Sequence, residues 1–144
     1  MTIRLATPYD VDALAAVHEA CFARPWSARD IDGMLDDGFG LVCQDAAAFL
    51  LGRVVADEAE ILTVAIDPSF RRRGHGAMLV AAAAAWAHDQ GATSLFLEVG
   101  VDNGPAIGLY ESLGFERVGT RRAYYTRADG EVVDALVMRR ALDA

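Results

Sequence analysis

The run Arg71-Arg72-Arg73-Gly74-His75-Gly76 sets three guanidinium groups directly before two glycines. An apolar, β-branched run ends just ahead of it at Asp67-Pro68, and an alanine-rich helix begins just after it. Neither glycine carries a Cβ, so the backbone at Gly74 and Gly76 can approach a bulky ligand. The first amides of the following helix have no intrahelical partner and carry the positive end of its dipole. Phosphate oxygens suit that arrangement, and the arginines add full charges beside it. The stretch Arg71, Arg72, Arg73, Gly74, His75, Gly76, Ala77 therefore reads as a pyrophosphate cradle. The competing reading is a glycine-containing turn with a solvated arginine run. Two other phosphate loops are excluded. The Walker type ends in Gly-Lys-Ser/Thr, and the chain has no lysine; the dinucleotide fingerprint needs a third glycine where Leu79 stands.

Glu98 is the only ionisable group between Leu95 and Val99. A carboxylate buried in such a strand is costly without a partner or a task. Strand alternation offers the other reading, a Glu98 that faces solvent. Asn103 reads as the cap of a helix opened by Gly104-Pro105. Tyr124 and Tyr125 straddle one strand, so one faces the core and the other a groove. Trp26 either walls a groove or staples the two N-terminal helices. His75 contributes through its main chain, with an incidental side chain. His18 and His88 lack metal-ligand spacing, and Cys21 and Cys43 are too few for a zinc pattern or a disulfide framework, so no metal is expected.

These residues need a framework, and the composition supplies one. The chain has 144 residues, 53% hydrophobic, which fits one domain over residues 1–144. No uncharged apolar run reaches the roughly 18 residues of a membrane span, and Met1 to Ala6 has no apolar signal region, so a cytoplasmic protein without a membrane partner is expected. The net charge of −8 argues against nucleic acid. An acidic protein with one basic site suits an anionic cofactor and a cationic second substrate.

In order, Thr2 to Ala6 reads as a strand, and Asp10 as the N-cap of a helix through Ala20. Ser27 caps a second helix, Ala28 to Leu35. Strands follow at Leu41 to Cys43, Ala47 to Val54 and Glu60 to Ile66, joined too tightly for anything but antiparallel pairing. Ala77 to Gln90 is the long helix, with Gly91 just past its end. Ser94 to Val99 is the next strand, and the helix before it makes a crossover that places it parallel to Glu60–Ile66. A helix from Gly104 to Leu113 stops at Gly114. A hairpin of Arg117 to Tyr125 and Val132 to Arg139, turning near Asp129-Gly130, closes the chain. The fold class is mixed α/β, a mostly antiparallel sheet of about seven strands with four helices on both faces.

The glycine loop, the strand Leu95-Phe-Leu-Glu-Val99, the run Tyr110-Glu-Ser-Leu-Gly-Phe115 and this element order together resemble the GNAT N-acetyltransferases over nearly the whole chain. Pro25-Trp26-Ser27, Arg121-Arg122-x-Tyr124-Tyr125 and Ala128-Asp129-Gly130 narrow the likeness to the bacterial ribosomal-protein-alanine N-acetyltransferases. Those enzymes acetylate the N-terminal alanine of ribosomal protein S18. The resemblance implies acetyl-CoA as co-substrate and direct attack by the acceptor amine in a ternary complex. It implies that the strand through Val64, Ala65 and Ile66 is splayed at a bulge, with free amides for the pantetheine and the thioester oxygen. By the same resemblance Glu98 is the general base, Tyr110 the general acid, and Asn103 a cofactor contact. Trp26, Tyr124 and Tyr125 are then acceptor contacts, with Tyr124 preferred over Tyr125.

The sequence departs from that subfamily at Gly100, where arginine is common, and at Ala123 and Thr126, where asparagine and proline often flank the tyrosine pair. All three lie where the peptide would bind. Freeing an α-amine of pKa near 7.8 at pH 7 costs about 1 kcal/mol, against about 4.6 for lysine, so a single carboxylate base favours protein N-termini. A GNAT acting on a small amine, or on several N-termini or lysines, is the alternative enzyme, and a non-catalytic acetyl-CoA-binding module the alternative outside enzymes. A monomer or weak dimer is expected, since the last hairpin leaves an edge strand.

Overall fold

The computed structural model describes residues 2–43, 47–126 and 129–142, with the side chain of Tyr125 outside that set. Seven strands form one sheet: β1 (Ile3–Leu5), β2 (Phe39–Cys43), β3 (Ala48–Val55), β4 (Glu58–Ile66), β5 (Ser94–Gly100), β6 (Glu116–Thr126) and β7 (Val132–Ala141). Their spatial order is β1-β2-β3-β4-β5-β7-β6. The α-helices among the described residues are α1 (Val11–Cys21), α2 (Ala28–Asp37), α3 (His75–Asp89) and α4 (Gly104–Ser112). Every neighbouring pair of strands is antiparallel except β4 and β5, which α3 connects as a crossover. The mixed, mostly antiparallel sheet follows the expected order.

Alternation along the strands divides the core between two faces. In β3, Phe49 and Leu51 join Leu14 and Ile31 beneath α1 and α2. Leu50 points the other way, towards Leu79, Val80 and Ala83 of α3. Ala83 and Ala87 are fully buried, so α3 lies close on the sheet. Ile107 adds α4 to the same face as α3.

One irregularity interrupts the pairing of β3 with β4. Leu51 opposes Thr63, yet the next residue, Gly52, opposes Ile61, which leaves Leu62 as the extra residue of a β-bulge. The bulge reverses the side-chain parity of β4. Ala59 and Ile61 face α3, whereas Ala65 faces α1 and α2. Pairing of β4 with β5 is confined to Glu58↔Ser94, Ala59↔Leu95 and Glu60↔Phe96. Beyond Glu60 the two strands part and a gap opens between them.

Local signals set most of the helix ends. Ser27 Oγ accepts from Asp30 N at 3.1 Å and Asp30 Oδ2 accepts from Ser27 N at 3.1 Å, a complete capping box. Gly91 and Gly114 take the left-handed conformation that ends a helix, at φ +93° and +92°. Asp10 takes the N-cap position of α1, as expected, but its side chain makes no cap bond. Its carboxylate instead receives both Arg4 guanidinium nitrogens at 2.7 and 2.8 Å, and Thr7 N at 2.8 Å. A bidentate charged pair outcompetes a single cap bond. The start of α3 is a correction, at His75 rather than Ala77.

Candidate active site

The walls of the β4–β5 gap are main chain. Asp67 N donates to Ala47 O at 2.8 Å, one step past the Ile66↔Ala48 pair. Antiparallel parity therefore turns the amides of Asp67, Ala65 and Thr63 towards β3, and those of Ile66 and Val64 away from it. The amides facing away point into the gap, where β5 no longer pairs. Ala65, by contrast, offers the gap neither its N–H nor its C=O, and its side chain is buried beneath α1 and α2. The Ile66 carbonyl is met by side chains instead of a strand: Cys21 Sγ donates to it at 3.2 Å and Arg71 Nε at 3.1 Å. These two contacts bring the end of α1 and the arginine run to the mouth of the gap.

The run itself folds as a cradle. Gly74 stands at φ +81° as the N-cap of α3, a conformation that a side chain resists. No side chain caps this helix start, and Met78 N already bonds Gly74 O at 3.1 Å. The amides of His75, Gly76 and Ala77 are thus left facing outward with the dipole behind them. At Gly76 a Cβ would stand 3.2 Å from Ile66 Cδ1 and 3.8 Å from Leu109 Cδ2, so the cradle abuts both β4 and α4. The three arginines divide the work. Arg71 braces β4, Arg73 lies 5.6 Å over the Phe70 ring, and Arg72 is exposed at φ +64°. The His75 side chain is not incidental: it is buried, its Nδ1 meets Phe70 O at 3.2 Å, and its ring packs edge-on against Phe70.

Glu98 lies on the opposite face of β5 from the buried Leu97 and Val99. Its carboxylate reaches a groove with a volume of about 500 Å³, lined by Arg53, Glu58, Glu60, Phe96, Glu98 and Arg121 among others. Oε1 receives Arg121 Nη1 at 2.7 Å. The same guanidinium sits 4.5 Å over the Tyr124 ring. Burial, then the charge of Glu98, raises the Tyr124 hydroxyl above its ordinary pKa. Tyr124 thus lies beside Glu98, which its choice as the acceptor contact requires; Tyr125 has no described side chain. A second bulge in β6 carries Tyr124. Arg121 opposes Ala135 and Tyr125 opposes Val133, so three residues face Asp134 alone. Ala123 at its centre has φ +52°, and its N–H is held by Asp134 Oδ1 at 2.8 Å.

Tyr110 rises from α4, packs edge-on against Phe115 at 5.9 Å and belongs to the α3-side core. Burial pushes its hydroxyl above the ordinary value of 10.0. Such a group donates a hydrogen bond more readily than a whole proton. Asn103 caps α4, its Oδ1 accepting from Ala106 N at 3.3 Å. Trp26 ties the segment before α2 to α1: its ring stacks on His18 at 4.7 Å and its main-chain N–H donates to His18 Nδ1 at 3.0 Å. Among the described residues no cluster of His, Cys, Asp and Glu is set to hold a metal. No helix among them is long and apolar enough to cross a membrane.

The profile of the acetyltransferase (GNAT) family matches residues 11–115, from the start of α1 through the glycine loop to Phe115. The chain belongs to the GNAT acetyltransferase family. Among GNAT relatives, it is 38% identical over 141 residues to the [ribosomal protein bS18]-alanine N-acetyltransferase of Salmonella typhimurium, covering 95% of each chain. The Escherichia coli protein of the same name is 35% identical over the same length and coverage. The crystal structure of the ribosomal-protein-S18-alanine N-acetyltransferase from Escherichia coli superposes with a TM-score of 0.89 at 33% identity, covering 99% of this chain and 94% of that one. The glycine cradle lies at the end of β4, against Ile66, and the Glu98 groove lies on β5 beyond the last residues that pair with β4. Arg121 went unassigned in the sequence because its partner lies 23 residues away. Only the strand order β5-β7-β6 brings the two together.

Proposed function

We propose that this chain transfers the acetyl group of acetyl-CoA to the N-terminal α-amine of a protein, with the alanine that leads ribosomal protein S18 as acceptor. The diphosphate of the co-substrate lies on the amides of His75, Gly76 and Ala77, with Arg72 and Arg73 beside it. The pantetheine follows the amides of Val64 and Ile66 into the gap. The acceptor enters across the Glu98 groove. Glu98 takes a proton from the α-ammonium, directly or through a water, and leaves a neutral amine. The nitrogen lone pair attacks the thioester carbon. The C–S bond breaks, and its electron pair leaves on sulfur with a hydrogen bond from Tyr110. As the amide forms, the nitrogen gives up its second proton, which passes to the thiolate sulfur, and Glu98 returns the first proton to solvent, so the products are the acetylated N-terminus and the free thiol of coenzyme A.

One observation carries this reading: β4 parts from β5 beside the glycine cradle, and the carboxylate of Glu98 stands on β5 just beyond the last paired residues. The relatives named above add the acceptor. Thiol release from acetyl-CoA tests it, with an alanine-led S18 peptide, the same peptide pre-acetylated, and a lysine-led peptide in parallel. Release with the first alone is expected. No release with any of them, or equal release with the pre-acetylated peptide, overturns the proposal.

A further inference from the structure

Among the described residues, Arg121 is a charged side chain bonded directly to the Glu98 carboxylate, and the transfer itself does not use it. Its guanidinium makes two contacts at once, 2.7 Å to Glu98 Oε1 and 4.5 Å to the Tyr124 ring centroid. A carboxylate under one side of a cation and an aromatic face under the other is the seat that a protonated amine would choose. The seat is reachable because Arg121 lies in register with Ala135 and Ala135 with Gly100. Neither neighbour presents more than a methyl group, so the arginine leans two residues along the sheet to Glu98. Its side chain remains 54% exposed. Glu60 lies in the same groove, already bonded by Arg53 at 2.9 Å, and its charge also acts on Arg121.

We infer that Arg121 is a resident competitor for the acceptor: it occupies the seat between Glu98 and Tyr124, and the incoming α-ammonium must displace it towards Glu60. The inference rests on the role given to Glu98 above. It makes Arg121 a determinant of acceptor affinity rather than a participant in the chemistry. An occupant that holds a seat most of the time weakens every ligand for that seat by the fraction of time it is vacant. An exposed ion pair combined with a cation–π contact corresponds to roughly a three- to tenfold effect.

The experiment measures acetyl transfer at saturating acetyl-CoA for the parent, Arg121→Gln and Arg121→Lys, with an alanine-led peptide and with alaninamide as acceptors. Arg121→Gln is expected to lower KM about three- to tenfold, by the same factor for both acceptors, and Arg121→Lys to stay near the parent because it keeps the charge. A KM that rises in Arg121→Gln makes the arginine a peptide contact and overturns the inference. A KM that stays put while kcat falls makes it a brace for Glu98 and overturns it equally. Glu98→Gln, assayed alongside, separates the two levels. If it transfers acetyl at the parental rate, the reading of the site falls. If it is inactive and Arg121→Gln shows no drop in KM, only the competitor falls.

Discussion

The bulge in β6 makes a prediction that can be worked from one dihedral angle. Ala123 is held at φ +52° by the Asp134 carboxylate, and an L-residue with a Cβ resists that region by about 1–2 kcal/mol. Glycine removes the resistance but adds about 0.4–1 kcal/mol of unfolded-state entropy, so Ala123→Gly should stabilise the fold by roughly 0.5–1 kcal/mol. Asparagine tolerates the left-handed region and keeps its Cβ, so Ala123→Asn should gain about 1 kcal/mol. It is also the residue common at this place in the subfamily the sequence resembles. In a chain of this size 1 kcal/mol corresponds to a rise of about 2–4 °C in Tm. Urea unfolding is the assay, with the midpoint rising and the slope unchanged. If both variants are less stable than the parent, Ala123 is not strained, and the account of how Tyr124 is presented to Glu98 is wrong.

Three further expectations follow from the site and its supports. Tyr110→Phe should bind acetyl-CoA as the parent does but lose roughly ten- to a hundredfold in kcat, the lower end of what a lost proton donor costs because the raised pKa limits the donor to a hydrogen bond; steady-state kinetics with calorimetry checks both. Gly74→Ala forces a side chain into φ +81° at the cradle, which should cost about 1 kcal/mol of stability and raise KM for acetyl-CoA, with KM for peptide little changed. His18 is buried and its Nδ1 accepts from Trp26 N, so burial holds its pKa below the ordinary 6.5. The unfolded chain binds that proton more readily. His18's contribution is therefore complete above pH 6.5 and shrinks as pH falls below it, by at most about 1.4 kcal/mol per pH unit. Chemical denaturation between pH 7.5 and 5 should show this slope, and His18→Asn, whose Oδ1 can still accept from Trp26 N, should flatten it.

Much of the fold was legible because its signals are local. Ser27 with Asp30, Asn103 before Pro105, and Gly91 and Gly114 each act within a few residues, and the crossover through α3 fixes β4 and β5 as parallel. The place of Asp10 at the N-cap was legible but the use of its carboxylate was not, because two partners compete for it. The arginine that wins it lies on the preceding strand, and no helical period reports that. The early start of α3 was hidden by Gly-His-Gly, a poor helix former, until the left-handed Gly74 put the turn ahead of His75. At the site, the types of Glu98, Tyr110 and the arginine-glycine loop were legible and their directions were not. Which amides of β4 face the gap depends on a single extra residue at Leu62, and an apolar β-branched run gives no sign of which of its members is the extra one. The bulge that lifts Tyr124, and the arginine that reaches Glu98 from two strands away, are properties of register, which only the assembled sheet defines.

The account turns on the parted edge of β4 as the seat of acetyl-CoA, and amide hydrogen exchange at three adjacent residues tests that most directly. Val64 and Ile66 should exchange fast in the free protein and slow markedly once acetyl-CoA is bound, while Ala65, bonded to β3, should be slow in both states. If acetyl-CoA binds by calorimetry yet Val64 and Ile66 exchange at the same rate with and without it, the co-substrate lies elsewhere and the assignment of this gap is contradicted.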